Sequence, residues 1–159
     1  MPELRIRVAR IGDAPAIFAV LDAAFSPFRQ CYPEAAYDAT AVPLPVMEAR
    51  IRSKDETVLV VTEGDEVVGT VSLKIIDGRD LHFYTMGVSP SQQGKGVGRL
   101  LFEAIEEQAR RSGCRRMTLE TSAPLSRAIH AYEKHGFKRT GKVRPYHGTE
   151  VFEMAKEIS

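Results

Sequence analysis

The chain has 159 residues, of which 43% are hydrophobic and 27% charged, and its formal net charge is +1. This length and apolar content suit one domain with a substantial core, which we expect to cover residues 1–159. The near-zero net charge leaves no basic excess for a phosphate backbone, which argues against a nucleic-acid-binding protein.

The first third of the chain predicts one strand and two helices. Apolar side chains and arginines alternate over residues 4–8, which predicts a strand with one buried face. Asp13 is expected to cap a helix that ends at the segment SPFRQCYP. Residues 26–45, with four prolines, predict an irregular segment, followed by a short helix over residues 46–51.

The middle of the chain predicts three strands and a long helix. The segment TVLVVTEGDEVVGTVSLKI predicts an antiparallel hairpin around a Gly-Asp turn, and LHFYTMGV predicts a fourth strand. That strand runs into the glycine-rich corner VSPSQQGKGVGRLL, residues 88–101. From Val97 the apolar residues lie at i, i+4, i+7, i+8 and i+12, which predicts an amphipathic helix that ends at Ser112 and Gly113.

The last third predicts a strand, a helix and two further strands. RMTLET is the fifth strand, a helix follows from Ser126 to His135, and the last two strands lie near Gly141 and Val151. The fourth and fifth strands flank one helix and should therefore be parallel. We predict an α/β fold with a mixed, largely antiparallel sheet and flanking helices.

Cysteine usage and apolar runs bear on location. Cys31 and Cys114 form no metal or redox motif, so we expect no metal site and a structural role for both thiols. MPELRIRVAR lacks the apolar region of a signal peptide, and no run approaches the roughly 18 apolar residues of a membrane helix. These features predict a reduced, cytoplasmic protein without a membrane partner.

The glycine-rich corner is compared with three kinds of phosphate-binding loop. Its place before a helix N-terminus suits an anion, because amide groups there lack helical partners. A P-loop requires Ser or Thr after Gly-Lys, but Gly96 follows Lys95. The dinucleotide fingerprint, counted from Gly94, requires a third glycine where Arg99 stands.

The third pattern, Gln/Arg-x-x-Gly-x-Gly/Ala, is matched by Gln93, Gly96 and Gly98. A second motif, LETSAPLSRAIHAYEKHGF, covers residues 119–137 and ends in Tyr-x-x-x-Gly-Phe. These two motifs and the order of the elements resemble the GCN5-related N-acetyltransferase (GNAT) family, whose members bind acetyl-CoA. Leu125 departs from the Asn that many members have, and Ser122 or Ser126 could replace that side chain.

The resemblance implies a binding site for acetyl-CoA. In the family, the amides of the corner bind the pyrophosphate, which here implicates Gln93, Gly94, Lys95, Gly96, Val97, Gly98 and Arg99. The fourth strand splays from the fifth and exposes backbone groups to the pantetheine and acetyl groups, which here implicates Met86, Gly87 and Val88. Gly87 is also a candidate for a β-bulge that opens the slot.

The resemblance also implies proton-transfer residues. Tyr132 is expected to donate a proton to the departing thiolate. Glu120, twelve positions earlier, matches the glutamate base of the ribosomal-protein alanine acetyltransferases. His82 and Tyr84, which share a face of the fourth strand, are alternatives to Glu120 as the base, and ordered water is another.

The acceptor and the assembly state are less constrained. The loops that line the acceptor side in the family carry a mixed aromatic and basic set: Phe28, Arg29, Tyr32, Tyr37, Arg144, Tyr146 and His147. We expect a small-molecule amine, an amino acid or a peptide N-terminus. A non-catalytic acyl-CoA-binding module and a dinucleotide-binding protein are the alternatives. A homodimer through an edge strand in EVFEMAKEI, with Val151 and Met154 near its exposed end, is also plausible.

Overall fold

The computed structural model describes residues 3–158. They contain a seven-stranded sheet whose strands, numbered along the chain as given next, lie in the order β1-β2-β3-β4-β5-β7-β6. The strands are β1 (Leu4–Val8), β2 (Glu56–Glu63), β3 (Glu66–Ile76), β4 (Asp80–Val88), β5 (Arg116–Thr121), β6 (Lys138–Tyr146) and β7 (Thr149–Glu157). The helices are α1 (Ala14–Phe25), α2 (Glu34–Thr40), α3 (Leu44–Arg52), α4 (Val97–Arg111) and α5 (Ser126–Lys134). β4 and β5 pair in parallel and the other pairs are antiparallel, which confirms the predicted fold class.

Helices cover both faces of the sheet because side chains alternate along the central strands. In β2, Val58 and Val60 pack in one cluster with residues of α1 and α3 (Ile17, Leu21 and Met47). Leu59 and Val61 belong to the opposite cluster, with residues of α4 and β4 (Leu101, Ile105 and Phe83). The sheet is thus buried on both sides along its centre, and this fixes the positions of β3 and β4.

The helix predicted from Val97 is confirmed as α4. Its buried residues repeat at the predicted spacing: Val97, Leu101, Ile105 and Ala109. It ends at Ser112, and Gly113 follows with a φ of 72°. β5 has the predicted bounds as well. Periodicity and a glycine stop signal were therefore sufficient for the elements on either side of the glycine-rich corner.

The prediction of an irregular segment over residues 26–45 is wrong. Residues 26–31 form a 3₁₀ helix, α2 follows, and α3 begins at Leu44 rather than Val46. Pro27 and Pro45 occupy the first turns of their helices, while Pro33 and Pro43 stand at the N-caps. Proline is tolerated at these positions because the amide groups of a first turn have no helical partner in any case.

The prediction that the tail supplies an edge strand at β7 is also wrong. β7 lies between β5 and β6, so Val151 and Met154 are buried. The edge strand at this end of the sheet is β6, which is exposed and carries several cationic side chains. Because β5 and β6 pair with its two sides, β7 has no free edge on which a second copy could add a strand.

The predictions for Cys31 and for the apolar content of the first helical run also need correction. Cys114 is buried in the core as predicted, but Cys31 is exposed, so a structural packing role is not supported there. Judged by length and hydropathy alone, the helical run Ile11–Cys31 could cross a membrane. Within that run Ile17 and Leu21 pack in the core of this domain.

Asp13 precedes α1 as predicted, but its carboxylate does not cap that helix. It accepts two bonds from the Arg7 guanidinium, at 2.7 and 2.9 Å, and one from the Arg10 N–H at 2.7 Å. The bonds from Arg7 hold the pKa of Asp13 below its usual value. This ion pair ties β1 to the start of α1.

Asp13→Asn should lower the free energy of unfolding at pH 7 by about 1–2 kcal/mol, because the charged bonds to partly exposed Arg7 are lost. Since the folded pKa lies below the unfolded value of about 3.9, the contribution is complete above that pH and is lost as pH falls through the folded pKa. Urea unfolding of both proteins should therefore differ most at neutral pH and converge near about pH 2. Asp22→Asn, at an exposed position of α1, is the control. An equal difference at both pH values would contradict the assignment.

Candidate active site

β4 and β5 are hydrogen-bonded along only a short part of their lengths. The parallel register covers Asp80 to His82 of β4 against Arg116 to Thr118 of β5. Both strands continue past this register, to Val88 and Thr121, without pairing with each other. A cavity of 360 Å³ lies where they part, which we call the first cavity. It is lined by the ends of both strands, the glycine-rich corner and α5. The predicted splayed slot is therefore present.

A β-bulge bends β4 at this opening. Thr70 and Ser72 of β3 pair with Gly87 and Tyr84, so two residues of β4, Thr85 and Met86, lie opposite one residue of β3. Thr85 has a φ of 51°, which is unusual for a β-branched residue. Such strain costs on the order of 1–3 kcal/mol and clusters at functional sites.

The bulge lies beside Gly87 rather than at it, which corrects the predicted role of this glycine. A Cβ added to Gly87 would lie 3.0 Å from Leu21 Cδ2 and 3.6 Å from Ala24 Cβ. A side chain here would crowd Leu21, so glycine favours the close approach of α1 to β4.

Arg50 of α3 supports the bulge. No local sequence pattern predicted that its side chain would contact β4. Its Nη1 donates to Ser72 Oγ at 2.9 Å and to Thr85 Oγ1 at 3.1 Å. Its Nε lies 3.6 Å from Glu56 Oε2, and its side chain is 11% exposed. One partly buried guanidinium thus links β2, β3 and the strained residue of β4.

The glycine-rich corner has the geometry of an anion-binding loop. Gly94 and Gly96 have φ values of 82° and 94°, and Gly96 is the N-cap of α4. The first bond of α4 runs from the Leu100 N–H to the Gly96 carbonyl, so the preceding amides of residues 97–99 have no helical acceptor. These amides lie at the positive end of the helix dipole.

Internal packing does not explain the glycines of this corner. A Cβ added to Gly94, Gly96 or Gly98 would meet no heavy atom within 4 Å. At Gly69, by contrast, a Cβ would lie 2.5 Å from Val97 Cγ1. Gly98 also has an ordinary helical backbone, so neither strain nor crowding within the chain requires glycine there.

The structure brings most of the predicted binding residues to the first cavity. Its lining includes Met86, Gly87, Val88, Gln93, Gly94 and Gly98. The side chains of the other predicted residues lie outside it: Val97 packs in the core, Arg99 pairs with Glu103 at 3.2 Å, and Lys95 and Gly96 are exposed at the corner. Gln92 and Arg127 line the cavity and were missed by the sequence interpretation.

Tyr132 of α5 lines the first cavity from within an aromatic cluster. Its ring lies edge-on to Phe83, Phe102 and Phe137, with centroid distances of 6.2, 6.0 and 6.4 Å. Burial raises the pKa of the phenol to about 12. The hydroxyl is therefore protonated at neutral pH, which suits a proton donor.

A second cavity, of 310 Å³, adjoins the first. The two share residues at the opening between β4 and β5: Phe25, Thr40, Tyr84, Thr85, Glu120, Thr121 and Leu125. Of the predicted acceptor wall, Tyr32, Tyr37, Arg144 and Tyr146 line this second cavity. Phe28 lines the first cavity, Arg29 stacks on Tyr37 at 4.5 Å, and His147 is exposed in the final turn.

Glu120 lies at the junction of the two cavities and is ion-paired. Arg144 Nε and Nη2 donate to its carboxylate oxygens at 2.5 and 2.6 Å. This pairing lowers the pKa of Glu120. The carboxylate is therefore charged over a wide pH range but is a weaker base than an unpaired one.

The other two candidate bases lie on one face of β4. His82 lines the second cavity only, and its Nδ1 is 2.9 Å from Thr118 Oγ1. Burial lowers the pKa of His82, so the ring is neutral near pH 7 and able to accept a proton. The Tyr84 hydroxyl donates to Glu56, and burial together with this bond raises its pKa, so the phenol stays protonated at neutral pH and is not available to accept a proton.

The side chains proposed to replace the missing Asn do not reach the first cavity. Ser122 is hydrogen-bonded to the Tyr32 hydroxyl at 2.6 Å and lines the second cavity, while Ser126 is exposed. Leu125 itself lines both cavities. Within residues 3–158, no group of three or more His, Cys, Asp or Glu side chains is placed to hold a metal ion.

Comparison with known proteins gives consistent relatives. Residues 17–137 match the model of the acetyltransferase (GNAT) family. A mycothiol acetyltransferase of Jonesia denitrificans is 38% identical over 48% of this chain and 25% of its own length. YsnE of Bacillus subtilis strain 168, an uncharacterized N-acetyltransferase, is 34% identical over 56% of this chain and 60% of its own length. The chain therefore spans less than two thirds of these curated relatives.

The fold has close counterparts among solved structures. The PaiA N-acetyltransferase of Thermoplasma acidophilum, solved in complex with coenzyme A, superimposes with a TM-score of 0.80 over 98% of this chain and 99% of that one, at 21% identity. The family match covers most of this chain and includes both motifs that suggested the resemblance, the glycine-rich corner and the segment that ends at Phe137. This chain belongs to the GNAT acetyltransferase family.

Proposed function

We propose that this protein transfers the acetyl group of acetyl-CoA directly to a primary amine. The observation that carries the proposal is the junction of the two cavities at the opening between β4 and β5. The first cavity extends from the glycine-rich corner to Tyr132, and the second meets it at Glu120. Two substrates entering from the two sides would meet at that junction, which suits direct transfer without a covalent enzyme intermediate.

The chain's own residues fit acetyl-CoA in the first cavity. The amides of residues 97–99, at the positive end of α4, would bind the pyrophosphate. Gly98 leaves room for a phosphate to approach the backbone, and Arg127 adds a cation to the lining. The backbone of Met86, Gly87 and Val88 would hold the pantetheine arm. That PaiA, a protein of the same fold, was solved in complex with coenzyme A supports coenzyme A as the kind of ligand bound.

Direct transfer makes three chemical demands on the protein. The amine must reach the thioester as a neutral nucleophile, the tetrahedral oxyanion must be stabilised, and the thiolate must be protonated. Thr85 and Met86 are unpaired with β3 at the bulge, and β5 has already parted from β4, so their backbone groups are free to contact the acetyl oxygen. Tyr132, protonated and partly buried at the cavity wall, would give its proton to the thiolate.

Glu120 would accept the proton of the amine, because it lies where the cavities meet. Geometry takes precedence over pKa in assigning a general base. His82 has a neutral ring and its pKa is closer to neutral than that of Glu120, which suits a base. However, His82 lines only the second cavity. An ordered water between the amine and either group is the remaining route.

The retained second cavity and Tyr132 favour an enzyme over a non-catalytic acyl-CoA-binding module, which would need neither. A thiol-release assay with acetyl-CoA across a panel of amines and peptides tests the activity directly. Acetyl-CoA, but not NAD, should raise the melting temperature, by an amount equivalent to about 2.7 kcal/mol at a hundredfold excess over Kd. Stabilisation by NAD alone would favour the dinucleotide-binding alternative.

Gly98→Ala should weaken acetyl-CoA binding without destabilising the fold. An added methyl group meets open space within the chain and removes about 0.4–1 kcal/mol of backbone entropy cost in a helix, so the free energy of unfolding should stay equal or rise. The same methyl group would obstruct a phosphate at the α4 amides and raise the Kd about tenfold, equivalent to about 1.4 kcal/mol.

Calorimetry with acetyl-CoA and urea unfolding measure these two effects separately. Gly12→Ala is the matched control, because Gly12 also has open space and no positive φ but lies outside both cavities. An unchanged Kd for Gly98→Ala would remove the corner from the binding site.

Tyr132→Phe should lower kcat by the roughly 10²–10⁴-fold expected for a lost proton-transfer group. The ring is retained within its aromatic cluster, so acetyl-CoA affinity and the urea midpoint should change little. Steady-state kinetics and calorimetry on the same preparation separate the two. A kcat within threefold of wild type would exclude Tyr132 as the acid.

Glu120→Gln should remove the acid limb of the kcat–pH profile, whereas His82→Gln should leave it in place. Because the pKa of Glu120 is lowered below its usual value of about 4.3, the base is ionised at all higher pH and that limb should lie in the acid range. A limb nearer neutral pH that His82→Gln abolishes would assign the base to His82. A limb that neither variant alters would assign the proton to water.

A further inference from the structure

The charges that line the second cavity do not balance. Three cations, Arg50, Lys74 and Arg144, line it, against one carboxylate, Glu120. Arg144 is paired with Glu120, and Arg50 is paired with Glu56 from outside the lining. Both of these cations are thereby neutralised by groups of the protein itself. Lys74 is left as the uncompensated charge.

Lys74 lies on β3 next to the aromatic side of the cavity. Its Nζ is 5.1 Å from the centroid of the Tyr84 ring, and Arg50 lies 4.8 Å from the same centroid. Among residues 3–158, no carboxylate oxygen lies within 4 Å of the Lys74 ammonium. An ammonium at the rim of a cavity that already holds two satisfied ion pairs favours an anionic ligand.

The rest of the lining suits a ligand with both polar and apolar parts. Phe25, Tyr32, Tyr84 and Tyr146 supply aromatic surface. Two buried hydroxyl oxygens of lining residues, in Tyr37 and Thr121, have no hydrogen-bond partner in the described chain. Unpaired buried polar atoms are costly, so these two hydroxyls mark polar groups beside the cavity that the described chain does not satisfy.

We propose that the acceptor is an amino acid or another short amino carboxylate, with its carboxylate bound by Lys74 and its amine held at Glu120. This inference rests on the proposed acetyl transfer and specifies its acceptor. Glu120 presents a negative group at the junction of the cavities and Lys74 a positive group at the rim, which complements a zwitterion. A polyamine would be repelled by the uncompensated ammonium of Lys74 and would leave that ammonium without a partner.

The test compares N-acetylated products, because acetylation removes the amine's own ionisation from the comparison. N-acetyl-L-phenylalanine, N-acetyl-L-methionine and N-acetyl-L-alanine are each titrated into the CoA-saturated protein beside the corresponding amide. At least one acid should bind about tenfold or more tightly than its amide, as expected for a charge-assisted bond. Equal affinities, tighter binding of the amides, or no binding of any acid would overturn the inference.

Variants of Lys74 assign the preference to this side chain. Lys74→Met should weaken the acid about tenfold and leave the amide within twofold, and Lys74→Glu should reverse the preference. Lys142→Met is the matched control, since Lys142 is exposed on β6 and lines neither cavity. A loss that is equal for acid and amide in Lys74→Met would show a structural effect and overturn the assignment.

Thiol release separates this inference from the proposed function. Thiol release is compared for 2-phenylethylamine and L-phenylalanine at a pH above the pKa of both amines. Equal rates would support the acetyltransferase activity but reject an amino carboxylate as the preferred acceptor. Absence of thiol release with every amine, together with tight binding of the acids, would remove the activity and leave the carboxylate site standing.

Discussion

The early end of the β4–β5 pairing is the constraint on which the site depends. Parallel strands in a sheet ordinarily continue their hydrogen bonding, and here the register stops at His82 and Thr118. Unpaired backbone is costly when buried, so the two strand ends need other partners. The opening lies between two cavities, and a thioester and an amine in that gap would supply such partners.

The bulge at Thr85 lies where the two strands have parted, and a partly buried arginine holds the bulge. Thr85 adopts a backbone conformation that its side chain disfavours, and such strain persists only where the surroundings over-determine it. Arg50 supplies bonds to Thr85 and Ser72, while Gly87 allows α1 to pack against the same strand. The fold thus fixes the opening from three sides. This rigidity suits a reaction that depends on positioning two substrates.

Electrostatics divides the site into two halves with different tasks. The first cavity combines a dry aromatic cluster around Tyr132 with the positive end of α4, a pairing that suits a thioester with a phosphate-bearing tail. The second cavity is built around ion pairs. Glu120 lines both cavities. The bond from Arg144 keeps this carboxylate charged and oriented, at the expense of its basicity. The proposed base is thus also the anchor of an ion pair, which would couple proton transfer to the geometry of the second cavity.

Local sequence was sufficient for the strand and helix pattern on either side of the corner, for the corner itself and for the motif around Tyr132. Periods of two and 3.6 residues, and the freedom of glycine at positive φ, are properties of short segments. Such reasoning could not predict contacts between distant residues, namely Arg50 with Thr85 and Arg144 with Glu120, nor the uncompensated charge of Lys74. It also could not predict the interior position of β7. Each depends on which distant elements become neighbours: Arg144 lies 24 residues after Glu120 and reaches it only because β6 pairs with β7 and β7 with β5. Charge balance and cavity shape arise from those pairings, because a side chain's partners are set by the packing of the whole sheet.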